Sequence, residues 1–323
     1  MRNFKSCIIT GSTGSGGSYL IEHILKKKEN IKIYGFYRSK GFFRNLINHK
    51  NVKLIKLNLL NYNKLKKNID KIKPDLIYHL ASDANVRGSF DNPIKNSKNN
   101  NLITINLLEA ARYQKKKPLL IICSSSEVYG NVPKKEMPIT ENQIINPINP
   151  YAATKAYQDI ISQVYFKSFK MNIIITRMFS YTNARRRNLF QTNFAMQIAE
   201  IEKKKRKFLF HGNLKSKRTF VDIYDAMEAY WLAAKKGKIG EIYNIAGSDT
   251  ISVGKYLEKL ISLSNTKIHT KLDKKLLRPV DIDLQIANTK KFKLHTNWKP
   301  SVSFETSVQN LLNECRHIDS LKK

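Results

Sequence analysis

The sequence of 323 residues is poor in cysteine and in acidic side chains, and it has no long apolar run. Its only cysteines, Cys7, Cys123 and Cys315, lack the spacing of a metal site, so we expect buried, reduced thiols and no structural zinc. No apolar run approaches the roughly 18 residues of a membrane helix. The glycine-rich segment at residue 11 leaves no room for a secretory leader before it. We therefore expect a cytoplasmic protein with no membrane partner and no metal.

Acidic residues are also scarce relative to basic ones: 25 Asp and Glu stand against 58 Lys and Arg, a formal net charge of +33. A nucleic-acid surface is one interpretation of such a charge. The lysines, however, are spread over many predicted helices, as in ILKKK, KLKKNIDKIK and EKKKRK, and aromatic residues are not interleaved with them. We favour a solvated basic surface that attracts anionic small molecules, with no nucleic-acid partner.

Short apolar runs alternate with amphipathic helical patterns along the first half of the chain. The runs SCIIT, IKIYGFY, DLIYHLA and LLIICSSS are typical of parallel strands that helices cover on both faces. We therefore predict an α/β fold with a doubly wound parallel sheet and a smaller, interleaved C-terminal lobe that binds the substrate. Residues 1–178 plus about 221–250 are assigned to the sheet domain, and residues 179–220 plus 251–323 to the smaller lobe.

The segment GSTGSGGSYL, residues 11–20, joins the first predicted strand to the first predicted helix. Gly11, Gly14 and Gly17 form the pattern G-x-x-G-x-x-G, which permits a sharp turn and lets a pyrophosphate approach the backbone. The helix start offers free N–H groups to an anion, and Thr13 and Ser15 are candidate hydroxyl donors. The pattern at this junction predicts a dinucleotide site.

The segment after the second predicted strand bears on which dinucleotide is bound. An NAD site would offer an acidic residue there to the ribose hydroxyls. This chain offers Arg38, Ser39, Lys40 and Arg44 and no carboxylate. A 2′-phosphate matches that cluster better, so we favour NADP over NAD; a plain basic loop is the alternative.

Two further segments hold candidate catalytic residues. In YAATK, Tyr151 and Lys155 are four residues apart on one helix face. The ammonium and a cationic nicotinamide would favour the phenolate, so Tyr151 could accept a hydroxyl proton. In CSSSEVYG, residues Ser124 to Glu127 leave the carboxyl edge of the sheet, where doubly wound folds bind ligands.

These motifs in this order resemble the extended short-chain dehydrogenase/reductase family, which has a Rossmann-type sheet. Within it, GSGGSYLIE, SSSEVYG, RTFVDIYDAMEAYWL, GEIYNIAG and LRPVDIDLQ resemble the GDP-mannose 4,6-dehydratases. The resemblance covers nearly the whole chain. Glu127 is the most informative residue, because sugar 4,6-dehydratases need a carboxylate there and simple epimerases and reductases do not. The pair Ser126-Glu127 is similar to the GDP-mannose branch.

The resemblance implies conversion of GDP-mannose to a 4-keto-6-deoxy sugar nucleotide, GDP-4-keto-6-deoxymannose, with recycled NADP. It implies that Tyr151 deprotonates the hydroxyl at carbon 4, while Lys155 lowers the pKa of that tyrosine. Ser125 would hydrogen-bond the developing carbonyl. Glu127 would remove the proton at carbon 5 and protonate the departing 6-hydroxyl, with Ser126 orienting the group. A structural alternative is that Glu127 caps a helix or loop.

Further contacts and an oligomer are implied by the resemblance alone. The segment NARRRN resembles a loop that reaches a neighbouring subunit's cofactor, and NNNLITINLLEAARY and AYQDIISQVYFKSF resemble dimer helices, so a homodimer or homotetramer is implied. The implied cofactor residues are Gly11, Thr13, Gly14, Gly16, Gly17, Arg38, Asn58, Leu59, Leu80, Ala81, Tyr151, Lys155 and Arg186. The implied substrate residues are Ser180, Arg185, Asn193, Arg218, Arg278 and Asp281.

Several positions depart from the family pattern, and they leave open a different sugar or a different step. One alternative is a nucleotide-sugar epimerase or 4-keto-sugar reductase that uses Tyr151 and Lys155 without Glu127. Another is a non-catalytic NADP-binding or RNA-associated protein, which the presence of all three residues disfavours. The departures are Asn58, Asp83, Ile103, Ser180, Asn183 and Ala184.

Overall fold

A computed structural model describes residues 1–39, 41–42, 46 and 49–317, and its largest element is a sheet of seven strands. The strands are β1 (Ser6–Thr10), β2 (Lys32–Tyr37), β3 (Val52–Lys56), β4 (Leu76–His79), β5 (Leu119–Ser125), β6 (Asn172–Met178) and β10 (Ile242–Ile245). They lie in the order β10-β6-β5-β4-β1-β2-β3, and every neighbouring pair is parallel. The doubly wound α/β fold predicted from the alternating runs is confirmed.

Helices cover both faces of this sheet. They are α1 (Ser15–Lys26), α2 (Tyr62–Ile72), α4 (Pro93–Arg112), α5 (Pro150–Phe169), α7 (Ile223–Lys236) and α9 (Lys290–Thr296). The short helix α3 (Val86–Asp91) packs on α4 and α5. One cluster of buried apolar side chains joins the sheet to α1 and α7, and a second joins it to α2, α4 and α5. Burial on both faces explains why β4 and most of β5 are apolar runs without alternation.

A smaller group of elements lies around β9. Its strands are β7 (Ser180–Tyr181), β8 (Leu209–His211), β9 (Lys217–Val221), β11 (Asp249–Ser252), β12 (Thr270–Leu272) and β13 (Leu284–Gln285), and its helices are α6 (Phe190–Glu202), α8 (Val253–Ser262) and α10 (Phe304–His317). Strand β9 pairs with β11, β13 and β7, and α6, α8 and α10 share a third apolar cluster. This arrangement supports the two-lobe division, which stays a proposal.

The apolar runs and helical patterns described above do not include α3, α6 or α10. Helix α6 begins at Phe190. Its buried face, which includes Phe194 and Ile198, packs against the third cluster formed with α8 and α10. Distant parts of the chain therefore supply the apolar surface that stabilises these helices.

Helix α5 carries Tyr151 and Lys155, and two features fix its position. At its start, the Asn149 side chain accepts a hydrogen bond from the Ala152 N–H at 2.8 Å, and Pro150 occupies the first turn. In its middle, Asp159 forms a buried ion pair with Arg177 of β6, with Nε and Oδ2 2.8 Å apart. Because breaking a buried pair leaves one charge unpaired, this contact holds α5 firmly against the sheet.

Two further expectations bear on the described residues. The thiols of Cys7, Cys123 and Cys315 are all free and buried, as their apolar surroundings predict. Over the ranges given above, no helix combines the length and apolarity that crossing a bilayer requires.

Candidate active site

The glycine turn between β1 and α1 forms one wall of the site. Gly11 has a φ of +67°, a conformation that favours glycine, and a Cβ at Gly17 would collide with the carbonyl oxygen of Gly11. Helix α1 begins after Gly14 with no side-chain cap and no acidic residue in its first turn. Its free N–H groups and positive dipole end therefore fit a phosphate-bearing dinucleotide.

A cavity of about 640 Å³ lies at the carboxyl ends of the parallel strands, between the sheet and the group of elements around β9. The predicted residues that line it lie as far apart in the sequence as Gly11 and Asp281. The predicted catalytic residues that line it are Ser125, Ser126, Glu127, Tyr151 and Lys155. The predicted cofactor and substrate residues that line it are Gly11, Gly14, Gly16, Gly17, Leu80, Ala81, Arg186, Ser180, Asn193, Arg218, Arg278 and Asp281.

Tyr151 is buried in this cavity and hydrogen-bonded to the Ser125 side chain. The pKa of Tyr151 is raised to about 12, mainly because the side chain is buried. The Arg186 guanidinium opposes this shift, and the nearby Glu127 carboxylate adds to it. We expected Lys155 to supply the attraction that favours the phenolate. After burial, the largest influence on the pKa of this phenol is the Arg186 guanidinium, which lowers it.

Lys155 lines the cavity and donates hydrogen bonds to two protein acceptors. Its Nζ lies 2.8 Å from the carbonyl oxygen of Cys123 and 2.9 Å from Oε1 of Gln158. Burial lowers the pKa of this ammonium to about 8. The sequence analysis did not select Gln158, although it lies three residues after Lys155 on the same helix.

Glu127 lies on a short 3-10 turn, Ser126–Tyr129, that directly follows β5. Its Oε2 accepts a hydrogen bond from Nδ2 of Asn149 at 2.9 Å. Asn149 is the cap of α5, so the carboxylate also supports the start of the helix that carries Tyr151. The same carboxylate raises the pKa of the cavity phenol of Tyr151, which places the two groups within electrostatic reach.

Ser126 is held by a residue that the sequence analysis missed. Its Oγ donates to Oε1 of Gln285 at 3.1 Å, and Nε2 of Gln285 donates to the Ser126 carbonyl oxygen at 3.0 Å. Gln285 is buried on β13, 159 positions along the chain. No sequence pattern connects residues so far apart, and only the packing of β13 against the turn after β5 brings them together.

The two predicted arginines of the NARRRN loop point in different directions. Nη2 of Arg186 donates to the Ala84 carbonyl oxygen at 2.6 Å, and the side chain lines the cavity of its own chain. Arg185 requires a correction, because its guanidinium does not line the cavity. Its Nη2 lies 2.9 Å from Oε2 of Glu22, and its Cζ lies 3.8 Å from the ring centroid of Tyr19. Arg185 therefore joins the loop to α1.

Three of the predicted substrate residues form one charged group on the smaller lobe. Oδ1 of Asp281 lies 3.4 Å from Nη2 of Arg218 and 3.3 Å from Nη1 of Arg278. Arg218 is buried, which lowers its pKa, while Glu127 and Asp281 oppose that shift. The carboxylate of Asp281 therefore holds two cations at the cavity wall, where they can meet an anionic ligand.

Four predicted cofactor residues lie outside this cavity. Oγ1 of Thr13 donates to the Ser39 carbonyl oxygen at 3.1 Å, and the exposed Arg38 donates to Oδ1 of Asn99 at 2.9 Å. The Asn58 side chain accepts from its local backbone at Leu60. Leu59 is buried in the core cluster around α2 and α4. Lys40 and Arg44 of the predicted phosphate cluster lie outside the described residues.

The described part of the chain holds no group of three His, Cys, Asp or Glu side chains arranged to bind a metal ion. The charged side chains that line the cavity are those described above together with Arg87, Asp91, Arg187 and Lys275. They can bind an anionic ligand and exchange protons with it.

A parallel Rossmann-type sheet, a glycine turn at β1 and a buried Tyr-Lys pair beside a serine define an extended short-chain dehydrogenase/reductase of the NAD-dependent epimerase/dehydratase type. Within that class, the chain belongs to the family described as GDP-mannose 4,6 dehydratase, whose family model matches residues 8–311. The resemblance inferred from the sequence is therefore confirmed, and the protein is an enzyme of sugar-nucleotide metabolism.

Two curated relatives illustrate the range of similarity. The chain is 31% identical over 275 residues to a dTDP-D-glucose 4,6-dehydratase of Dictyostelium discoideum, a match that covers 80% of this chain and 62% of that protein. It is 29% identical over 328 residues to GDP-mannose 4,6 dehydratase 1 of Arabidopsis thaliana, covering 96% of this chain and 89% of the relative.

Solved structures share the fold over almost the whole chain. A UDP-glucuronic acid 4-epimerase from Bacillus cereus, in complex with UDP-glucuronic acid and NAD, has a TM-score of 0.86 and 25% identity, covering 97% of this chain and 99% of its own. RMD from Pseudomonas aeruginosa, complexed with NADPH, has a TM-score of 0.82 and 21% identity over 97% and 99% of the two chains. A nicotinamide cofactor is common to both neighbours.

Proposed function

We propose that this protein is a nucleotide-sugar 4,6-dehydratase that converts GDP-mannose to GDP-4-keto-6-deoxymannose with a bound, recycled NADP. The observation that carries the proposal is the convergence of Tyr151 and Glu127 in one cavity beside Ser125. An alcohol oxidation needs only the phenol and the serine. A carboxylate in the same cavity supplies the second acid–base group that removal of water requires.

In this proposal the cavity residues have the roles that the family resemblance implies. Tyr151 accepts the proton of the carbon-4 hydroxyl, and Ser125 donates a hydrogen bond to the oxygen that becomes the carbonyl. The new ketone acidifies the proton at carbon 5, which Glu127 removes and then delivers to the departing 6-hydroxyl. A nicotinamide cofactor held in this cavity would supply reversible hydride transfer between carbons 4 and 6. A proton added to carbon 5, equal to the one that Tyr151 accepts, completes the balance, so the net change is the loss of one water.

The glycine turn and the uncapped start of α1 would hold the pyrophosphate of the cofactor, and Lys155 its nicotinamide ribose. We favour NADP because the exposed Arg38 follows β2, at the position where an NAD site would offer a carboxylate. NADPH in the Pseudomonas neighbour and NAD in the Bacillus neighbour make both cofactors part of the test.

The substrate diphosphate would meet Arg218 and Arg278, which Asp281 holds together at the cavity wall. Two charge-assisted contacts of this kind fit the two phosphates of a nucleoside diphosphate. Asn193 of α6 and Ser180 of β7 line the same cavity and would contact the remainder of the substrate.

A second candidate function is a nucleotide-sugar 4-epimerase or 4-keto-sugar reductase. The hydrogen bond from Asn149 to Glu127 favours it, because that contact gives the carboxylate a structural role at the start of α5. The Bacillus neighbour is a 4-epimerase. In this alternative Tyr151 and Lys155 act and Glu127 takes no part in the chemistry.

A substrate panel decides between the two functions. The purified protein is incubated with GDP-mannose, dTDP-glucose, UDP-glucose or UDP-glucuronic acid, each with a catalytic amount of NADP⁺ or NAD⁺. The masses of the products are measured by mass spectrometry. We expect GDP-mannose to lose one water without stoichiometric use of cofactor, faster with NADP⁺. Epimerisation at unchanged mass, or water loss from another sugar only, would contradict the proposal.

We further propose a homodimer through α4 and α5. These two helices pack on each other and leave Leu102, Ile160 and Val164 exposed to 41%, 51% and 43%. Exposed apolar side chains on neighbouring helices are typical of a protein interface. Higher assembly to a tetramer would retain this contact.

Light scattering tests the dimer. Ile160→Asp combined with Val164→Asp places two charges in the interface and should reduce the mass in solution to that of one chain. The matched control is Ile144→Asp, which changes an exposed isoleucine in the loop before α5. A native protein that is already a single chain, or a double variant of native mass, would rule the interface out.

A further inference from the structure

The ammonium of Lys155 has three N–H donors, and the protein uses two of them. One reaches the Cys123 carbonyl oxygen at 2.8 Å and another reaches Oε1 of Gln158 at 2.9 Å. Since the donors have tetrahedral directions, two fixed acceptors also fix the direction of the third. Lys155 lines the cavity, so the remaining donor is available to a ligand there.

A carboxamide can present either its oxygen or its NH₂ group, so Gln158 must itself be oriented. Its Nε2 lies 3.3 Å from Oγ1 of Thr104, on the neighbouring helix α4. Thr104 donates its own hydroxyl proton to the carbonyl oxygen of Asn100 at 2.8 Å. Towards Gln158, Thr104 is therefore an acceptor, which turns the amide NH₂ to Thr104 and the amide oxygen to Lys155.

His79 at the end of β4 completes the network. Its Nε2 lies 3.1 Å from Oγ1 of Thr104, and its Nδ1 lies 3.0 Å from Oγ1 of Thr10. With the Thr104 proton committed to Asn100, Nε2 of His79 is the donor and Nδ1 the acceptor. The ring is fully buried, and burial lowers its pKa to about 3, so it stays neutral and keeps this polarity.

We propose that Gln158, oriented by Thr104 and His79, is a positioning residue that aims the free N–H of Lys155 at the nicotinamide ribose. The catalytic importance of this contact depends on the proposed function. The orientation of Lys155 depends only on the hydrogen bonds described above. The residue acts through Lys155 and does not touch substrate.

The proposal has a consequence for pH. Burial lowers the pKa of Lys155 to about 8. Above that pH the amine keeps two hydrogens, which the two protein acceptors hold, and the cavity loses its donor. The other titratable groups that face Lys155 are Cys123 of β5, Arg186 of the loop after β7 and neutral His79 of β4; Tyr151 lies one turn away on α5.

Cofactor binding measured by titration calorimetry tests the inference without any sugar nucleotide. The native protein should bind NADP⁺ several-fold more weakly at pH 9 than at pH 7. Gln158→Leu should weaken binding about tenfold at pH 7, the loss expected for a hydrogen bond to a charged group. Gln158→Glu keeps an acceptor and adds a negative charge that favours the ammonium, so its affinity should be similar at the two pH values.

The control is Ser162→Ala, which removes a buried hydrogen bond to the Gln158 backbone one turn along α5 and leaves the side-chain network intact. Its affinity and pH dependence should match those of the native protein. Native-like binding by Gln158→Leu, or a native pH dependence in Gln158→Glu, would overturn the proposal. If Gln158→Leu does not fold, the pH comparison with Gln158→Glu decides.

The two proposals fail in different experiments. A protein that dehydrates no sugar nucleotide but shows the expected calorimetric pattern would refute the proposed function and retain the positioning role. Normal dehydration by Gln158→Leu with unchanged cofactor affinity would refute the positioning role and retain the proposed function.

Discussion

Replacing Tyr151 by phenylalanine should lower kcat by about 100- to 10,000-fold, the range for loss of a positioned acid–base group. Phenylalanine fills the same buried volume but cannot accept the carbon-4 hydroxyl proton. The fold should survive, because the phenol faces the cavity beside Ser125 and phenylalanine keeps the buried ring. Product formation from GDP-mannose and the first-stage reduction of NADP⁺ would both be measured.

The control for this variant is Tyr157→Phe. Tyr157 lies on the same helix and outside the cavity lining, so its loss should leave kcat and KM unchanged. If Tyr151→Phe keeps native activity while both variants fold, another group takes the proton and the catalytic assignment is wrong.

Replacing Glu127 by glutamine should lower the rate of dehydration by a similar factor, about 100- to 10,000-fold, while oxidation at carbon 4 continues. Glutamine retains an oxygen that can accept the hydrogen bond from Asn149, so the start of α5 is preserved. Only proton transfer at carbons 5 and 6 is lost. We expect reduced cofactor to accumulate without loss of water, which absorbance and mass spectrometry would record together.

This substitution separates the two roles of the carboxylate. If Glu127 only supports Asn149, Glu127→Gln should dehydrate GDP-mannose at the native rate, and the epimerase alternative gains ground. Glu136→Gln is the control, because Glu136 is an exposed carboxylate a few residues further along the same connection and hydrogen-bonds only Gln143.

Several features could be predicted from local sequence because their physical causes are local. The continuous apolar runs predict buried parallel strands, and Pro150 favours the first turn of the helix that carries Tyr151. The glycines of the first turn predict a close backbone approach, since Gly11 has a positive φ and Gly17 has no room for a Cβ. These inferences need no knowledge of distant residues.

Other features could not be predicted because partners distant in the sequence decide them. Arg185 and Arg186 are adjacent and chemically identical, yet Glu22 and Tyr19 draw the first to α1 while the second enters the cavity. Gln285 reaches Ser126 only because β13 lies beside β9. The pKa of Tyr151 is raised by burial, a property that no local spacing contains.

By itself, the sequence determined the sheet-and-helix order, the glycine turn and the identity of the phenol, ammonium and carboxylate, because periodicity, backbone freedom and side-chain chemistry are properties of short segments. Tertiary structure alone decided which charges share the cavity, which way Lys155 is aimed and which carboxylate supports the cap of α5. Those outcomes depend on burial and on hydrogen-bond partners that the folding of the whole chain brings together.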